Sequence, residues 1–273
     1  MKPWALILGA SSGFGGAVAL ELAKHGYNIF GVHLDRAVTL PHVKNLIKKI
    51  EHYKAHAVFF NINAADAIKR NEVLDEITER LHGHEKGSVK VLVHSLAFGT
   101  LKPFIAKSQN GCISQAQMEM TLDVMAHSLV YWTQGLVFRN LLAEGGRIFS
   151  LTSAGSHSVI PYYGAVSAAK AALESHTRQL AFELAPMKVT ANSIMAGVTD
   201  TPALQKIPGA QNMIDSTKLK NPHGRLTHPE DVAKAISLLC QDDAFWISGN
   251  LIGVDGAEDI INFSGEKVAH HIR

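Results

Sequence analysis

The sequence predicts an α/β fold, a single-domain, doubly wound parallel sheet of about seven strands flanked by helices. Short apolar runs recur about every 25 to 40 residues, and stretches of helical character separate most of them. The 273 residues are 47% hydrophobic, which suffices for one large core. Twenty-two glycines against nine prolines also fit an alternating chain better than an all-helical one.

Strands are predicted where short apolar runs end at turn residues, and helices where apolar residues recur at helical spacing. The predicted strands cover residues 4–8, 28–34, 57–62, 89–93, 146–151, 188–194 and 251–254. The predicted helices cover residues 17–24, 43–53, 67–81, 118–142, 164–184 and 229–240. Because buried strands alternate with helices, right-handed crossovers would make the sheet parallel and cover both of its faces.

One domain is predicted, at residues 1–261, followed by a C-terminal tail at 262–273. The stretch 200–225 is rich in Pro, Gly, Lys and Asn, and it is predicted to be an irregular lid over the substrate. Ligands of doubly wound sheets bind outside the carboxyl ends of the strands. The residues that follow each strand are therefore the candidates for chemistry.

Charge and cysteine content argue against several classes of protein. A formal net charge of +2 gives no electrostatic reason to expect nucleic acid as a partner. Cys112 and Cys240 have no second Cys or spaced His nearby, so neither a disulfide nor a metal site is predicted. The apolar run at 4–8 is too short for a signal peptide or a membrane span, and we expect a cytoplasmic protein.

A glycine-rich turn follows the first predicted strand and opens the first helix. Its spacing is Gly-x-x-x-Gly-x-Gly, and its residues are Gly9, Ala10, Ser11, Ser12, Gly13, Phe14 and Gly15. A turn this tight beside a pyrophosphate needs residues without a Cβ, and the helix N-terminus then presents free N–H groups to the anion. At the first strand-to-helix junction of a parallel sheet, this pattern predicts a dinucleotide site.

Together with later motifs, this turn resembles that of the short-chain dehydrogenases/reductases, a superfamily with a Rossmann-type fold. The resemblance covers about residues 4–258. The matching residues are Asn63 and Ala64 after the third strand, Ser95, Leu96 and Ala97 after the fourth, Ser153 before the helix at 164–184, Gly197, Thr199 and Thr201 in the next turn, and Val254-Asp255-Gly256 near the end. The resemblance implies that Asn63 and Ala64 meet adenine and that the turn at 197–201 surrounds the nicotinamide.

Most members of this family carry Tyr-x-x-x-Lys on the helix after the fifth strand. Here Lys170 has Val166 four positions earlier, whereas Tyr163 lies seven positions earlier. Seven residues return to nearly the same helix face, so Tyr163 and Lys170 point the same way. Their axial separation is about 10.5 Å, against about 6 Å for a spacing of four. The alternative, Tyr162, lies on a different face from Lys170.

This wider spacing has a chemical interpretation. A ketone reductase needs its acid beside the carbon that takes the hydride. An enoyl-thioester reductase instead develops negative charge on the thioester oxygen, two carbons further along, so its acid should stand further from the nicotinamide. The resemblance agrees, because enoyl-acyl-carrier-protein reductases carry Tyr-x6-Lys. In that family the lysine holds the ribose hydroxyls and favours the ionised phenol, roles implied here for Lys170 beside Tyr163.

Two groups of these enoyl reductases are similar to the chain. The divergent group resembles it at Val93-His94-Ser95-Leu96-Ala97-Phe98, and the group nearer to ordinary reductases resembles it at residues 197–204 and 221–225. The chain departs from the pattern of these relatives at two positions. Ser153 stands where the divergent group has a second tyrosine, and Met125 stands where ordinary members have the proton-relaying Asn. The missing Asn argues against plain ketone reduction.

The end of the second strand gives conflicting indications about the cofactor. Asp35 would bind the adenosine ribose and repel a 2′-phosphate, whereas the adjacent Arg36 would accept that phosphate. His33 occupies the usual position of the acid. Arg36 and the resemblance favour NADPH, with NADH as the alternative.

The sequence thus predicts reduction of an enoyl thioester in fatty-acid synthesis, with Tyr163, Lys170 and Ser153 as catalytic residues. Two alternatives remain: an oxidoreductase for a carbonyl or hydroxyl group of another small molecule, and a cofactor-binding regulatory or scaffolding protein. The resemblance implies a substrate on acyl carrier protein and a homotetramer packed through the long helices. Lys206, Lys218, Lys220 and Arg225 are candidates for contacting an acidic carrier, or form a solvated charged face.

Overall fold

A computed structural model describes residues 2–83 and 86–261. Seven strands form one parallel sheet in the order β3-β2-β1-β4-β5-β6-β7. The strands are β1 Trp4–Leu8, β2 Asn28–His33, β3 Ala57–Asn61, β4 Val89–His94, β5 Leu142–Thr152, β6 Thr190–Ala196 and β7 Leu251–Val254. The strand order reverses between β1 and β4, which confirms the doubly wound fold and places a crevice at the carboxyl ends of these two strands.

Eight α-helices cover the sheet in the described residues. They are α1 Gly13–Lys24, α2 Leu40–His52, α3 Ala67–His82, α4 Gln115–Leu122, α5 Ser128–Phe138, α6 Gly164–Glu183, α7 Ala210–Lys220 and α8 Pro229–Leu239. Strand β1 explains why both faces need cover. Leu6 and Leu8 belong to one core, and Ala5 and Ile7 to the other, because successive strand residues point to opposite faces.

The helix predicted at 118–142 is wrong as a single element. It is divided by a π-helical turn, Asp123–His127, and it ends at Phe138. Asn140 has a φ of +55°, which ends helical structure, and β5 begins two residues later. The apolar residues of the α5 end and the β5 start are continuous in sequence, so periodicity alone did not separate them.

The stretch 200–225 is also more regular than predicted. It contains a short 3₁₀ turn at Leu204–Lys206 and helix α7. Leu204, Ala210, Ile214 and Leu226 form a small core of their own, which orders the segment despite its polar composition. The other predicted elements are present, with boundaries that differ by a few residues. The predicted tail at 262–273 lies outside the described residues, and the division at 261 stays a prediction.

Candidate active site and family

The glycine-rich turn closes tightly against the loop after β4. Gly9 has a φ of +88°, and a side chain there would collide with the carbonyl oxygen of Ser95. A side chain at Gly15 would collide with the carbonyl oxygen of Gly9. Gly13, with a φ of +53°, has the Thr201 side chain as its neighbour, 3.6 Å from where its Cβ would stand. The glycines therefore bring together the segments after β1, β4 and β6.

The N-terminus of α1 is suited to an anion. The hydroxyl of Ser12, the N-cap residue, makes no capping hydrogen bond, and the first turn of α1 contains no acidic residue. The first N–H groups of a helix have no intrahelical partner, and the helix dipole favours negative charge there. Since Gly9, Gly13 and Gly15 carry no side chains at this turn, the described residues fit a bound pyrophosphate.

Asp35 faces inward at the end of β2. Its carboxylate Oδ2 lies 2.9 Å from Nδ1 of His33, which is almost fully buried. Burial raises the pKa of Asp35, but hydrogen bonds from Thr39, Ser11 and His33 outweigh it, and the pKa is lowered. The contact with Ser11 places this carboxylate beside the phosphate-binding turn, where an adenosine ribose would lie.

Asn61 and Arg36 complete the end of β2. The Asn61 side chain fixes the backbone of Asp35, accepting from its N–H and donating to its carbonyl oxygen at 2.9 Å each. Arg36 is exposed, and its side chain makes no hydrogen bond or ion pair that the structure records among the described residues. The structure therefore directs Asp35, and not Arg36, towards the turn.

The residues predicted to meet adenine follow β3, and the predicted Ser95, Leu96 and Ala97 follow β4. The exposed Asn63 accepts from the Ala65 N–H at 3.0 Å, which shapes the turn after β3. The buried Ala64 accepts from the indole N–H of Trp132 at 2.9 Å. Ser95 donates its N–H to Leu8 at 2.8 Å, so the loop with Leu96 and Ala97 starts beside the glycine-rich turn.

His94 is a residue that the sequence motif contained but that was not predicted as part of the site. It is fully buried at the end of β4, and its Nε2 lies 2.8 Å from the Ser128 hydroxyl. Ser128 donates its own proton to the Val124 carbonyl oxygen, so Nε2 of His94 is the donor. Its Nδ1 is buried without a partner among the described residues. Burial, reinforced by the charge of Lys170, lowers the pKa of His94 to about 3.

Tyr163 and Tyr162 diverge at the start of α6. Tyr163 is the N-cap residue, and its ring packs against Gly155, where a Cβ would stand 2.6 Å from the ring. Tyr162 has a φ of +65° and is 48% exposed. Burial raises the pKa of Tyr163, and hydrogen bonding with Ser153 lowers it by less. The phenol that faces the site is therefore that of Tyr163, and it stays protonated at neutral pH.

Ser153 directly follows β5, and Lys170 lies within α6. The Ser153 hydroxyl oxygen is buried. It makes no hydrogen bond to a described residue that meets the usual limits of distance and angle. Lys170 is 6% exposed and donates to the Leu151 carbonyl oxygen at 2.6 Å. Burial lowers the pKa of Lys170 to about 8, and the nearby Glu174 opposes this. The expected stabilisation of an ionised Tyr163 phenol by Lys170 stays a prediction.

The predicted nicotinamide turn follows β6. Gly197 donates to the Val254 carbonyl oxygen at 3.3 Å, and the Thr199 hydroxyl donates to Gly197 at 3.0 Å. The Thr201 hydroxyl caps the next turn by accepting from the Leu204 N–H at 3.2 Å. Glu258 supports the same turn, as described below, and sequence reasoning missed it because it lies outside every motif.

Two further findings bear on the class of protein. Within residues 2–83 and 86–261, no group of three or more His, Cys, Asp or Glu side chains is arranged to hold a metal ion. The helices in the same part of the chain include none with both the length and the apolar character that crossing a membrane requires.

Comparison with known proteins identifies the family. A family model described as Enoyl-(Acyl carrier protein) reductase matches residues 9–257. The enoyl-acyl-carrier-protein reductase (NADH) FabI of Aquifex aeolicus is 33% identical over 185 residues, 66% of each chain and so just under two thirds of that relative. A crystal structure of the Aquifex aeolicus enzyme superposes with a TM-score of 0.82 at 25% identity, covering 96% of this chain and 98% of that one.

The comparisons also include reductases of other substrates. The versicolorin reductase stcU of Emericella nidulans is 27% identical over 270 residues, covering 92% of this chain and 94% of that protein. This wider similarity supports oxidoreductase chemistry and leaves the substrate to be argued from the site. The chain belongs to the short-chain dehydrogenase/reductase superfamily, within the family described as Enoyl-(Acyl carrier protein) reductase, and is an oxidoreductase of that family.

Proposed function

We propose that this protein reduces the 2,3 double bond of an enoyl thioester with a nicotinamide cofactor. The observation that carries the proposal is the placement of Tyr163. Its protonated phenol lies at the N-terminus of α6, seven residues before the buried Lys170. Met125, within the π-helical turn, occupies the position at which ketone-reducing relatives have the relaying Asn. Both features favour an acid that serves an oxygen remote from the carbon that takes the hydride.

A dihydronicotinamide, when bound at the glycine-rich turn, would supply a hydride for the β-carbon of the enoyl group. Tyr163 donates its O–H to the thioester oxygen as negative charge develops there, so that enolate formation is stabilised. The enolate collapses as its α-carbon takes a proton from solvent, so that hydride and proton together give the saturated thioester and Tyr163 keeps its own proton. Lys170, held by Leu151, presents its ammonium group to the ribose hydroxyls. Ser153 offers a buried hydroxyl that is not otherwise engaged, suited to hold the Tyr163 phenol in place.

We propose NADH as the preferred cofactor, in place of the NADPH that the sequence favoured. The inward carboxylate of Asp35 supports this choice, since it would accept the 2′-hydroxyl of the adenosine ribose and repel a 2′-phosphate. The side chain of Arg36 is exposed, and it has no recorded partner among the described residues. The name of the Aquifex aeolicus relative, which specifies NADH, agrees with this proposal.

The proposed partners are an acyl chain on a carrier protein and other copies of this chain. Lys218 and Lys220 lie in the last turn of α7, the helix that contributes Ala210 and Ile214 to the small core of the 200–225 segment. Their positive charge would suit an acidic carrier. Phe138 on α5 and Phe182 on α6 are 81% and 77% exposed, which supports a homotetramer packed through these helices. Sedimentation would test the assembly directly.

Reduction at a carbonyl is the second candidate, favoured by Ser153, which ordinary reductases share, and by the similarity to a versicolorin reductase. One assay separates the candidates: oxidation of NADH and of NADPH is followed with crotonyl thioester and with acetoacetyl thioester, each on carrier protein and on coenzyme A. We expect turnover of crotonyl thioester only. Turnover of acetoacetyl thioester alone would establish the second candidate, and cofactor binding without turnover would favour a regulatory or scaffolding protein.

A further inference from the structure

We propose that residues 255–259, which follow β7, form a clasp that holds two active-site segments in register. One is the nicotinamide turn, residues 197–201, and the other is the catalytic loop, residues 153–163. Glu258 and Asp259 are the positioning residues of this clasp, and neither touches the reacting atoms. The inference rests on the proposed cofactor placement but not on the identity of the reduced substrate.

The carboxylate of Glu258 contacts the backbone of the nicotinamide turn. It is 8% exposed, and both of its carboxylate oxygens accept from the Val198 N–H, at 3.2 and 3.3 Å. Gly197 lies so close that a Cβ there would stand 2.9 Å from a Glu258 oxygen and would collide with the Thr227 hydroxyl. The backbone of the turn therefore rests directly on the carboxylate, and its N–H is satisfied by it.

This arrangement has an energetic cost, which argues against a merely incidental contact. Burial raises the pKa of Glu258, and the neighbouring Asp255 adds to that effect. The Val198 N–H and Asn221 oppose it, as does the charge of Lys220. The contacts with the Val198 N–H and Asn221 therefore offset part of the cost of burying this side chain.

Asp259 holds the catalytic loop. Nε2 of His157 lies 3.1 and 3.2 Å from the two carboxylate oxygens of Asp259. His157 is positioned within its loop by its backbone N–H, which donates to Ala154 at 3.1 Å. His157 stands between Ser153 and Tyr163 in the chain, so this contact with Asp259 joins the clasp to the loop that carries both side chains.

The clasp is itself well fixed. The carboxylate of Asp255 accepts from the N–H groups of Ala257 at 3.0 Å and of Asp259 at 2.8 Å, which closes a tight turn. Asn221 donates to the Asp255 carbonyl oxygen at 2.9 Å. The consecutive residues Glu258 and Asp259 thus contact the nicotinamide turn and the catalytic loop, respectively, from one anchored turn.

The sheet order explains why such a link is useful. The catalytic loop follows β5, the nicotinamide turn follows β6 and the clasp follows β7, and these three strands are neighbours in this order. Beyond the ends of these strands the regular ladder stops, and apart from the bond between Gly197 and Val254, side chains add the contacts that set the relative positions of the loops. The clasp supplies these contacts for the two segments that must align phenol and nicotinamide.

Cofactor fragments test the Glu258 arm without any turnover. We would measure the Kd of NADH and of ADP-ribose, which lacks the nicotinamide, for wild type, Glu258→Ala and Glu258→Gln. Loss of the acceptor should weaken NADH about tenfold in Glu258→Ala and leave ADP-ribose within about twofold, while Glu258→Gln, which keeps an acceptor, should restore NADH binding. Equal weakening of both ligands, or no change in either, would overturn the proposal.

Hydrogen exchange tests the Asp259 arm. Asp259→Ala and His157→Ala should each speed amide exchange in residues 153–163, and the double variant should add little to either single one. Glu144→Ala, which breaks the remote ion pair with Lys188, is the matched control and should leave that loop unchanged.

Should Glu258→Ala fail to fold, the Glu258→Gln variant decides the test of the Glu258 contact. A loss of NADH affinity in Glu258→Gln, despite its retained acceptor, contradicts the proposal. Failure of enoyl reduction alone would leave these binding results intact.

Discussion

His33 and Asp35 form a hydrogen-bonded pair of 2.9 Å at the carboxyl end of β2, with the imidazole buried and the carboxylate turned towards the glycine-rich turn. The lowered pKa of Asp35 keeps its carboxylate ionised, so Nδ1 of His33 must be the donor. This pair holds the carboxylate of Asp35 beside the glycine-rich turn, and the proposed preference for NADH rests on that placement.

Replacing Asp35 should therefore change cofactor choice. We expect wild type to prefer NADH and Asp35→Ala to lower kcat/KM for NADH about tenfold, because a charged acceptor for the ribose hydroxyl is lost. Its kcat/KM for NADPH should not fall. Arg36→Ala is the control and should alter neither value appreciably. A wild-type preference for NADPH that Arg36→Ala abolishes would instead assign recognition to Arg36.

Tyr163→Phe should lower kcat for enoyl reduction by at least about 100-fold, the lower end for loss of a general acid. Cofactor affinity should be unchanged, since the phenol serves the substrate oxygen. Tyr162→Phe, a neighbour with an exposed ring, is the matched control and should turn over like wild type. Steady-state kinetics with crotonyl thioester and NADH binding measure both expectations, and a near-wild-type kcat for Tyr163→Phe would refute the assignment.

The buried Lys170 predicts a pH dependence. Its pKa of about 8 means that the ammonium loses its proton as pH rises through that value, so cofactor affinity should fall above about pH 8. NADH Kd measured from pH 6 to pH 10 checks this. Lys170→Met should bind NADH weakly at every pH, without that step. A wild-type affinity that stays flat to pH 10 would contradict the lowered pKa.

The same group predicts an effect on stability, with a definite sign. A lysine whose folded pKa lies below its unfolded value destabilises the fold while it is charged, and stability rises as pH increases between the two values. The change from 10.5 to about 8 corresponds to roughly 3 kcal/mol. Lys170→Met should therefore raise the free energy of unfolding at pH 7, measured in urea. A clear loss of stability would show that the aliphatic stem and the bond to Leu151 outweigh the buried charge.

His94 should couple stability to pH with the same sign as Lys170, but in the acid range. Its folded pKa of about 3 lies below the ordinary 6.5, so its contribution is present above pH 6.5 and is lost as pH falls towards 3. His94→Gln should flatten the pH dependence of the thermal midpoint across this range. Ser128→Ala, which removes the partner of Nε2, should lower the midpoint while keeping the acid dependence. Parallel curves for His94→Gln and wild type would contradict the lowered pKa.

Local sequence determined much of the fold because the relevant forces act over a few residues. The run 4–8 is apolar at every position, which is what a strand buried on both faces requires, and it became β1. The glycines at 9, 13 and 15 predicted a tight turn, and two of them have the positive φ that favours glycine. Local pattern was insufficient at 118–142, where the π-helical turn and the start of β5 depend on packing against α6 and the sheet.

The sequence by itself determined the doubly wound sheet and the glycine-rich turn, because hydrophobic period and glycine content are properties of short segments, and the pairing of Tyr163 with Lys170 stays a prediction from helical spacing. Only the tertiary structure decided that Asp35 turns inward while Arg36 stays exposed, that Tyr162 faces solvent, and that Glu258 supports the nicotinamide turn. Each of these depends on partners such as Asn61 and Val198, which lie far away in the chain and meet only when the strands assemble.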